Sequence, residues 1–274
     1  MTAGGDGGQD GQGSQGGQAG IAHNQSVLKA VALIGCFVDS PEGKTLTELS
    51  RQTRLNVSTA YRMLQTLVRT GVLRREEESE RYFVGPLLLA LAGATFSSGG
   101  YGVVLDVLRG MSEETGESLS LGIRDNDCVA VLLSAGSNHH FRFEHRAGDR
   151  LPIHCSGMGK VLLAYGNEPH AEAVARLGRL TALTPKSIIR SDALADELAA
   201  IRERGYALGD EEHHIGVRSV AVPILSGNEP ARAAIGVQGP VSRMSIEAVE
   251  RLVPILKSGA ELVARLPLLS RLPV

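Results

Sequence analysis

Two stretches carry side chains whose type and spacing suit work on an anion. In "LNVSTAYRMLQTLVR", from Leu55 to Arg69, the residues Ser58, Thr59, Arg62, Thr66 and Arg69 fall mainly on one side of a helix. Ala60, Leu64, Leu67 and Val68 form an apolar stripe on the other. Short hydroxyls approach phosphates or base edges closely, and a guanidinium can donate two hydrogen bonds to guanine O6 and N7. In "HCSGMGKVLL", from His154 to Leu163, Ser156 to Gly159 stand where a helix begins. Free backbone N–H groups and the helix dipole make such a start a carboxylate site. A tight strand-to-helix turn uses glycines in the same way, and the residues alone favour neither reading.

Other reactive residues make weaker patterns. His154-Cys155 invites a nucleophile reading with His213 or His214 as base, but nothing in the sequence brings these groups together. Asp210, Glu211 and Glu212 have no second carboxylate set opposite them by any motif, so turn capping or ion pairing is expected. His139 and His140 are adjacent. On a strand they face opposite sides and make poor joint ligands, so neither a metal nor a catalytic residue is assigned. No cofactor is expected.

The elements that must position these groups follow from periodicity. Val27, Ala30, Val31, Ile34, Phe37 and Val38 recur at helical spacing, with Ser26 as a possible cap and Ser40-Pro41-Glu42-Gly43 as a stop. A second helix follows from about Leu46 to Thr53, capped by Thr45 or Thr47, and a third from about Val57 to Thr70, closed by Gly71. The pair with its "RLN" joint reads as a helix-turn-helix, whose second helix enters the major groove. Two short strands, Val72 to Leu73 and Tyr82 to Val84, flank a polar stretch as a wing would. It carries Arg74, Arg75 and Arg81, but also Glu76, Glu77, Glu78 and Glu80, which would repel phosphate.

In this scheme Arg62 reads a base, and Ser58, Thr59 and Tyr61 set register on phosphate. The Tyr61 ring has packing against Leu64 and Val68 as its alternative. Arg69, Arg74 and Arg75 add salt-dependent affinity, and Thr47 joins the DNA-facing set.

Pro86 opens a helix through Phe96, interrupted at Ser97-Ser98-Gly99-Gly100. Beyond it, helices and strands alternate. Strands are expected at Leu119–Ile123, Val129–Leu133, His139–His145, Tyr206–Leu208, Arg218–Leu225 and Arg232–Gln238, with a last amphipathic helix opening at Ser245. This order gives an α+β chain whose second domain is an antiparallel sheet with packed helices. The expected division is a disordered tail over 1–24, a DNA-binding domain over 25–86, a linker helix over 87–100 and a ligand domain over 101–274. The tail is nearly all Gly, Gln, Asp and Ser. It lacks any Lys or Arg, which argues against a DNA-binding arm.

Composition narrows the classes further. A net charge of -2 conceals nine basic against seven acidic residues between 21 and 98, too slight an excess to infer nucleic-acid binding by itself. Cys36, Cys128 and Cys155 are far apart, which excludes a CxxC zinc ribbon or a disulfide framework. Few cysteines and no secretory apolar region point to the cytoplasm, and apolar runs such as Leu87 to Ala94 are too short to span a bilayer.

The blocks "TLTELSRQTRLNVSTAYRMLQTLVRTGVLRR", "RYFVGPLLLALA", "RLPIHCSGMGKVLLA", "IRERGYALGDEEHHIGVRSVAVPI" and "GVQGPVSRMS", in that order, closely resemble the IclR family of bacterial transcriptional regulators. The resemblance covers about Ser26 to Leu266. It implies a winged helix-turn-helix, a linker helix and a GAF-like effector-binding domain. It also implies dimers, often paired as tetramers, on double-stranded operator DNA, and small organic or aromatic acids as effectors.

By the same resemblance, Ser156, Gly157 and Met158 at the helix start, with Gly209, Val217, Ser219, Gly236 and Gln238, are pocket positions. Gly209 stands where an acidic residue can occur, and Gly236 and Gln238 where serines can occur. These departures predict a roomier pocket and an effector larger than glyoxylate or pyruvate. The expected function is an effector-modulated DNA-binding regulator, a repressor by the family's habit. A ligand-independent DNA-binding protein and a catabolic enzyme fused to a DNA-binding module are the alternatives.

Overall fold

Helix caps set the front of the chain. In the structure, a computed structural model that describes residues 24–38 and 40–266 (side chains 96–99 apart), α1 spans Gln25–Gly35. Its cap is Asn24 and not Ser26: the Asn24 carboxamide oxygen accepts from the N–H of Ser26 and Val27, starting the helix earlier than apolar spacing suggests. The expected tail, Met1 to Gly20, lies outside the described residues.

α2 (Leu46–Thr53) opens on a capping box. Thr45 Oγ1 accepts from Glu48 N at 3.3 Å, and the Glu48 carboxylate accepts from Thr45 N at 2.8 Å. Thr45 is thus the cap and Thr47 is left exposed. α3 spans Val57–Arg69, capped by Asn56, whose side chain accepts from Thr59 N at 2.7 Å. Arg54, at φ 56°, turns the chain between the two helices, and Ser50 Oγ donates to Leu55 O at 2.6 Å across the joint.

Strands β1 (Leu73–Arg75) and β2 (Tyr82–Val84) pair antiparallel as the wing. Leu33, Phe37, Leu49, Leu64, Leu67, Leu73 and Tyr82 form the common core of these elements. Helix α4 (Pro86–Gly99) follows, and the chain divides into two compact units within it, after Ala92.

Helix α5 (Tyr101–Thr115) comes next, in the second unit. Then come β3 (Ser118–Asp125), β4 (Cys128–Ala135), β5 (Arg150–Pro152), α6 (Gly157–Ala164), α7 (His170–Arg176), α8 (Ser191–Arg204), β6 (Ala207–Asp210), β7 (Val217–Ile224), β8 (Ala233–Pro240) and α9 (Ile246–Ala264). The strands form one antiparallel sheet in the order β5-β4-β3-β8-β7-β6.

Alternation along the strands supplies two cores. Leu119, Leu121, Val220, Val222, Ile235 and Val237 pack with α5 and α9 on one face. Val129, Val131, Ala221 and Ala234 pack with α6 and α8 on the other. Every residue of the central β8 is buried.

The expected strand His139–His145 does not form. The edge of β4 is taken instead by β5, over Cys128 to Ala130. The segment is irregular, held locally by Arg142 on Glu144 at 2.6 Å and by an edge-on contact of Phe141 with Phe143.

Candidate nucleic-acid interface and candidate anion pocket

In the first unit Ala60, Leu64 and Leu67 turn inward, and the polar side of α3 is open. Ser58, Arg62 and Arg69 are exposed, Thr59 is half-buried, and Tyr61 is 45% exposed, so its ring is largely free of the core. Thr47 on α2 is exposed beside them in sequence.

The wing residues differ among themselves. The Arg74 guanidinium lies 4.2 Å from the Phe83 ring centroid, and Arg75 is paired with Glu80 at 2.9 Å. Arg81, expected on the wing surface, is half-buried and folds back onto the helices. Its Nη1 donates to Gly43 O at 2.9 Å and to the Glu48 carboxylate at 3.3 Å, tying the wing to the α2 capping box. Sequence reasoning missed this because the partners lie more than 30 residues away.

In the second unit, Ser156, Gly157, Met158, Gly209, Val217, Ser219, Gly236 and Gln238 all line one cavity of about 30 Å³. Strand register collects them. Gly209 of β6 stands opposite Ser219 of β7, and Ser219 stands opposite Gln238 of β8, so the three form one row across the sheet. Gly236 lies in the next such row, opposite Ala221. The start of α6 faces this row: an added Cβ on Gly157 would lie 3.0 Å from Ser219 Oγ.

The cavity is rich in donors. Ser156 caps α6: its Oγ accepts from Gly159 N at 3.2 Å and donates to Pro152 O at 2.8 Å, so the hydroxyl is already engaged. The N–H groups of Gly157 and Met158 have no hydrogen-bond partner among the described residues. The Gln238 Nε2 is buried and equally unpartnered. Open N–H groups at a helix start, in a cavity lined by apolar side chains, favour a bound anion.

Three histidines unassigned from sequence join the lining: His145 from the irregular segment after β4, and His213 and His214 from the β6–β7 connection. The His213 and His214 ring centroids are 3.9 Å apart, and His145 and His213 are 6.5 Å apart. Burial pushes His145 down to about 4, against an opposing pull from Asp149. Burial also pushes His213 down to about 4, reinforced by its histidine neighbours. Both rings are neutral at pH 7. Their positions depend on irregular chain with no periodicity, so sequence patterns could name them as reactive residues but not place them at this cavity.

Cys155 also lines the cavity, but burial pushes its thiol up to about 12 and leaves no thiolate at neutral pH. His154 is turned aside, its Nε2 3.0 Å from Thr181 O. The acidic run is consumed in ion pairs: Asp210 with Arg218 and Lys186, Glu211 with Lys186, and Glu212 with the buried Lys160. The expectation of a roomier pocket fails. The space opened by Gly236 is filled by the Met158 side chain, whose Cγ lies 2.9 Å from where a Cβ at 236 would stand.

A helix-turn-helix with an open polar reading helix, followed by a sheet domain enclosing a small donor-lined cavity, defines a DNA-binding regulator of transcription. The bacterial transcriptional regulator IclR C-terminal domain family matches residues 102–265, and the IclR helix-turn-helix domain family matches residues 26–77. The chain belongs to the IclR family.

Among its relatives, the HTH-type transcriptional regulator BhcR of Paracoccus denitrificans (strain Pd 1222) is 36% identical over 74% of this chain and 73% of its own. The transcriptional repressor IclR of Escherichia coli (strain K12) is 30% identical over 86% and 88%. The crystal structure of an IclR homologue from Microbacterium hydrocarbonoxydans, complexed with 4-hydroxybenzoate, shares the fold with a TM-score of 0.72. That likeness covers 90% of this chain and 100% of the other at 24% identity. No helix of the described residues is long and apolar enough to cross a membrane.

Proposed function

We propose that the protein is a cytoplasmic, homodimeric or tetrameric repressor whose grip on a double-stranded operator is altered by a small organic acid bound in the second unit. One observation carries the ligand half of this reading: the N–H groups of Gly157 and Met158 open into the same cavity as the buried Gln238 Nε2, and none of the three has a partner among the described residues. Those groups take the carboxylate, and Ser219 lies beside them to take a polar substituent. The 4-hydroxybenzoate complex of the Microbacterium homologue supports an acid as the ligand class.

In the DNA half, Arg62 reads a base. Thr47, Ser58, Thr59 and Tyr61 set register on the phosphates, and Arg69, Arg74 and Arg75 add backbone affinity. A ligand shifts DNA binding only through unequal affinity for the DNA-competent and DNA-incompetent arrangements.

The test has two arms. An operator is first selected from random duplex DNA by the full-length protein. Small carboxylates are then screened for thermal stabilisation and for release of that DNA. A saturating ligand at a hundred times its Kd adds about 2.7 kcal/mol of stability. The expected result is at least one acid active in both assays. A panel in which no acid stabilises the protein or alters DNA binding overturns the effector reading. Arg62→Ala is expected to lose discrimination of about 1–3 kcal/mol between operator and random DNA. An unchanged preference removes Arg62 from base reading.

A further inference from the structure

Met158 belongs to two parts of the pocket at once. Its backbone N–H is one of the open donors at the start of α6, and its side chain is 4% exposed against the sheet. That side chain lies over two glycines on neighbouring strands. A Cβ added to Gly122 of β3 would stand 2.6 Å from Val129 Cγ1 and 3.2 Å from Met158 Sδ, and one added to Gly236 of β8 would stand 2.9 Å from Met158 Cγ and 3.3 Å from its Sδ. Gly122 pairs with Ala234 and Gly236 with Ser120, so the two glycines are diagonal neighbours in the sheet. The sheet therefore has a shallow dent, and the thioether fills it. What remains is a cavity of about 30 Å³. A water needs roughly 10–15 Å³ by the same measure, so the remainder suits a carboxylate with a very small body.

We propose that Met158 sets the size limit of the effector: its side chain occupies the space a ring or long alkyl group would need, and restricts the pocket to acids of about pyruvate size. The inference rests on the carboxylate reading given above and adds the class of acid. It also explains the three residues together. Glycines at 122 and 236 make room for the thioether, and the thioether closes the room they make. Methionine suits the role because its unbranched chain fits an irregular gap.

Titration calorimetry of pyruvate and of 4-hydroxybenzoate into the full-length wild type, Met158→Ala and Met158→Leu tests this. A steric change of this kind in a pocket is worth tenfold or more. Wild type and Met158→Leu, which nearly conserves volume, are expected to favour pyruvate at least tenfold. Met158→Ala is expected to gain at least tenfold in affinity for 4-hydroxybenzoate. Wild type binding both acids equally, or Met158→Ala keeping the wild-type ratio, overturns the size limit and leaves the carboxylate reading standing. If neither acid binds any of the three proteins, both are overturned.

Should Met158→Ala fail to fold, Gly236→Ala gives the converse test. Its new Cβ presses on Met158 Cγ and drives the side chain into the cavity, so pyruvate affinity is expected to fall at least tenfold. Unchanged pyruvate binding by a folded Gly236→Ala overturns the proposal.

Discussion

Lys160 Nζ lies 2.5 Å from Glu212 Oε1, with both side chains buried. The same ammonium donates to Leu208 O at 2.7 Å and reaches Glu197 at 3.3 Å. One buried cation thus ties α6, which presents Gly157 and Met158, to the β6–β7 connection that carries His213. Removing one partner of a buried pair strands the other charge, at a cost of about 3–5 kcal/mol. Lys160→Ala is expected to lose that much stability in urea unfolding. Glu212→Gln, which keeps an oxygen acceptor for Lys160, is expected to lose less. Equal and small losses would show that the pair contributes only packing.

The pocket histidines predict an acid-sensitive fold. His145 and His213 titrate near 4 in the folded chain against an ordinary value near 6.5. Between these values the unfolded chain binds more protons, so stability falls as pH drops from about 6.5 to about 4 and is unaffected by these groups above 6.5. At about 1.4 kcal/mol per pH unit the combined effect is of the order of a few kcal/mol, reduced because both rings are partly open to water. Thermal melts over this range are expected to fall more steeply in wild type than in His145→Asn/His213→Asn. Parallel curves would show that neither ring is held neutral by burial.

On the wing, Arg75 is paired with Glu80, and the proposed phosphate role of Arg75 would need that pair to open. Glu80→Gln frees the guanidinium and is expected to raise affinity for random duplex DNA at low salt. The salt dependence should steepen by roughly one unit, the contribution of one more phosphate contact. An unchanged slope in anisotropy titrations places Arg75 away from phosphate. Arg81→Ala is expected to act on stability instead, because Arg81 joins Gly43 and Glu48 of the preceding segment. Loss of these bonds costs about 1–3 kcal/mol, read by thermal melting.

Gly209 leaves room for its cross-strand partner. A Cβ there would stand 2.5 Å from Ser219 Oγ but 3.8 Å from Ser219 Cβ. Gly209→Ala alone is expected to cost about 1–3 kcal/mol by overpacking, and Ser219→Ala should recover most of it in the double variant. Strictly additive losses would place the strain elsewhere.

The helix-turn-helix was legible because its signals are local. Caps, the apolar spacing of Ala60, Leu64 and Leu67, and the glycine after α3 act within a turn or two of chain, and the structure puts all of them to use. Local signals misled at Ser26, where Asn24 stands two residues ahead, and at His139–His145, where side-chain contacts hold the segment irregular. The helix start at Ser156 to Gly159 was legible in the residues, but the sheet positions Gly209, Val217, Ser219, Gly236 and Gln238 came from family resemblance, since no periodicity relates residue 157 to 209 or 238.

Sequence by itself therefore determined the reading helix, the alternation of elements and the start of α6, because hydrogen-bond capping and amphipathic spacing are short-range. Tertiary structure alone decided three things. Arg81 ties the wing to Gly43 and Glu48, three histidines reach the cavity, and the space beside Gly236 belongs to Met158. Each depends on strand register and on what stands across a gap. Close packing assigns a glycine's missing volume to whichever neighbour reaches it, and chain order does not encode which neighbour that is.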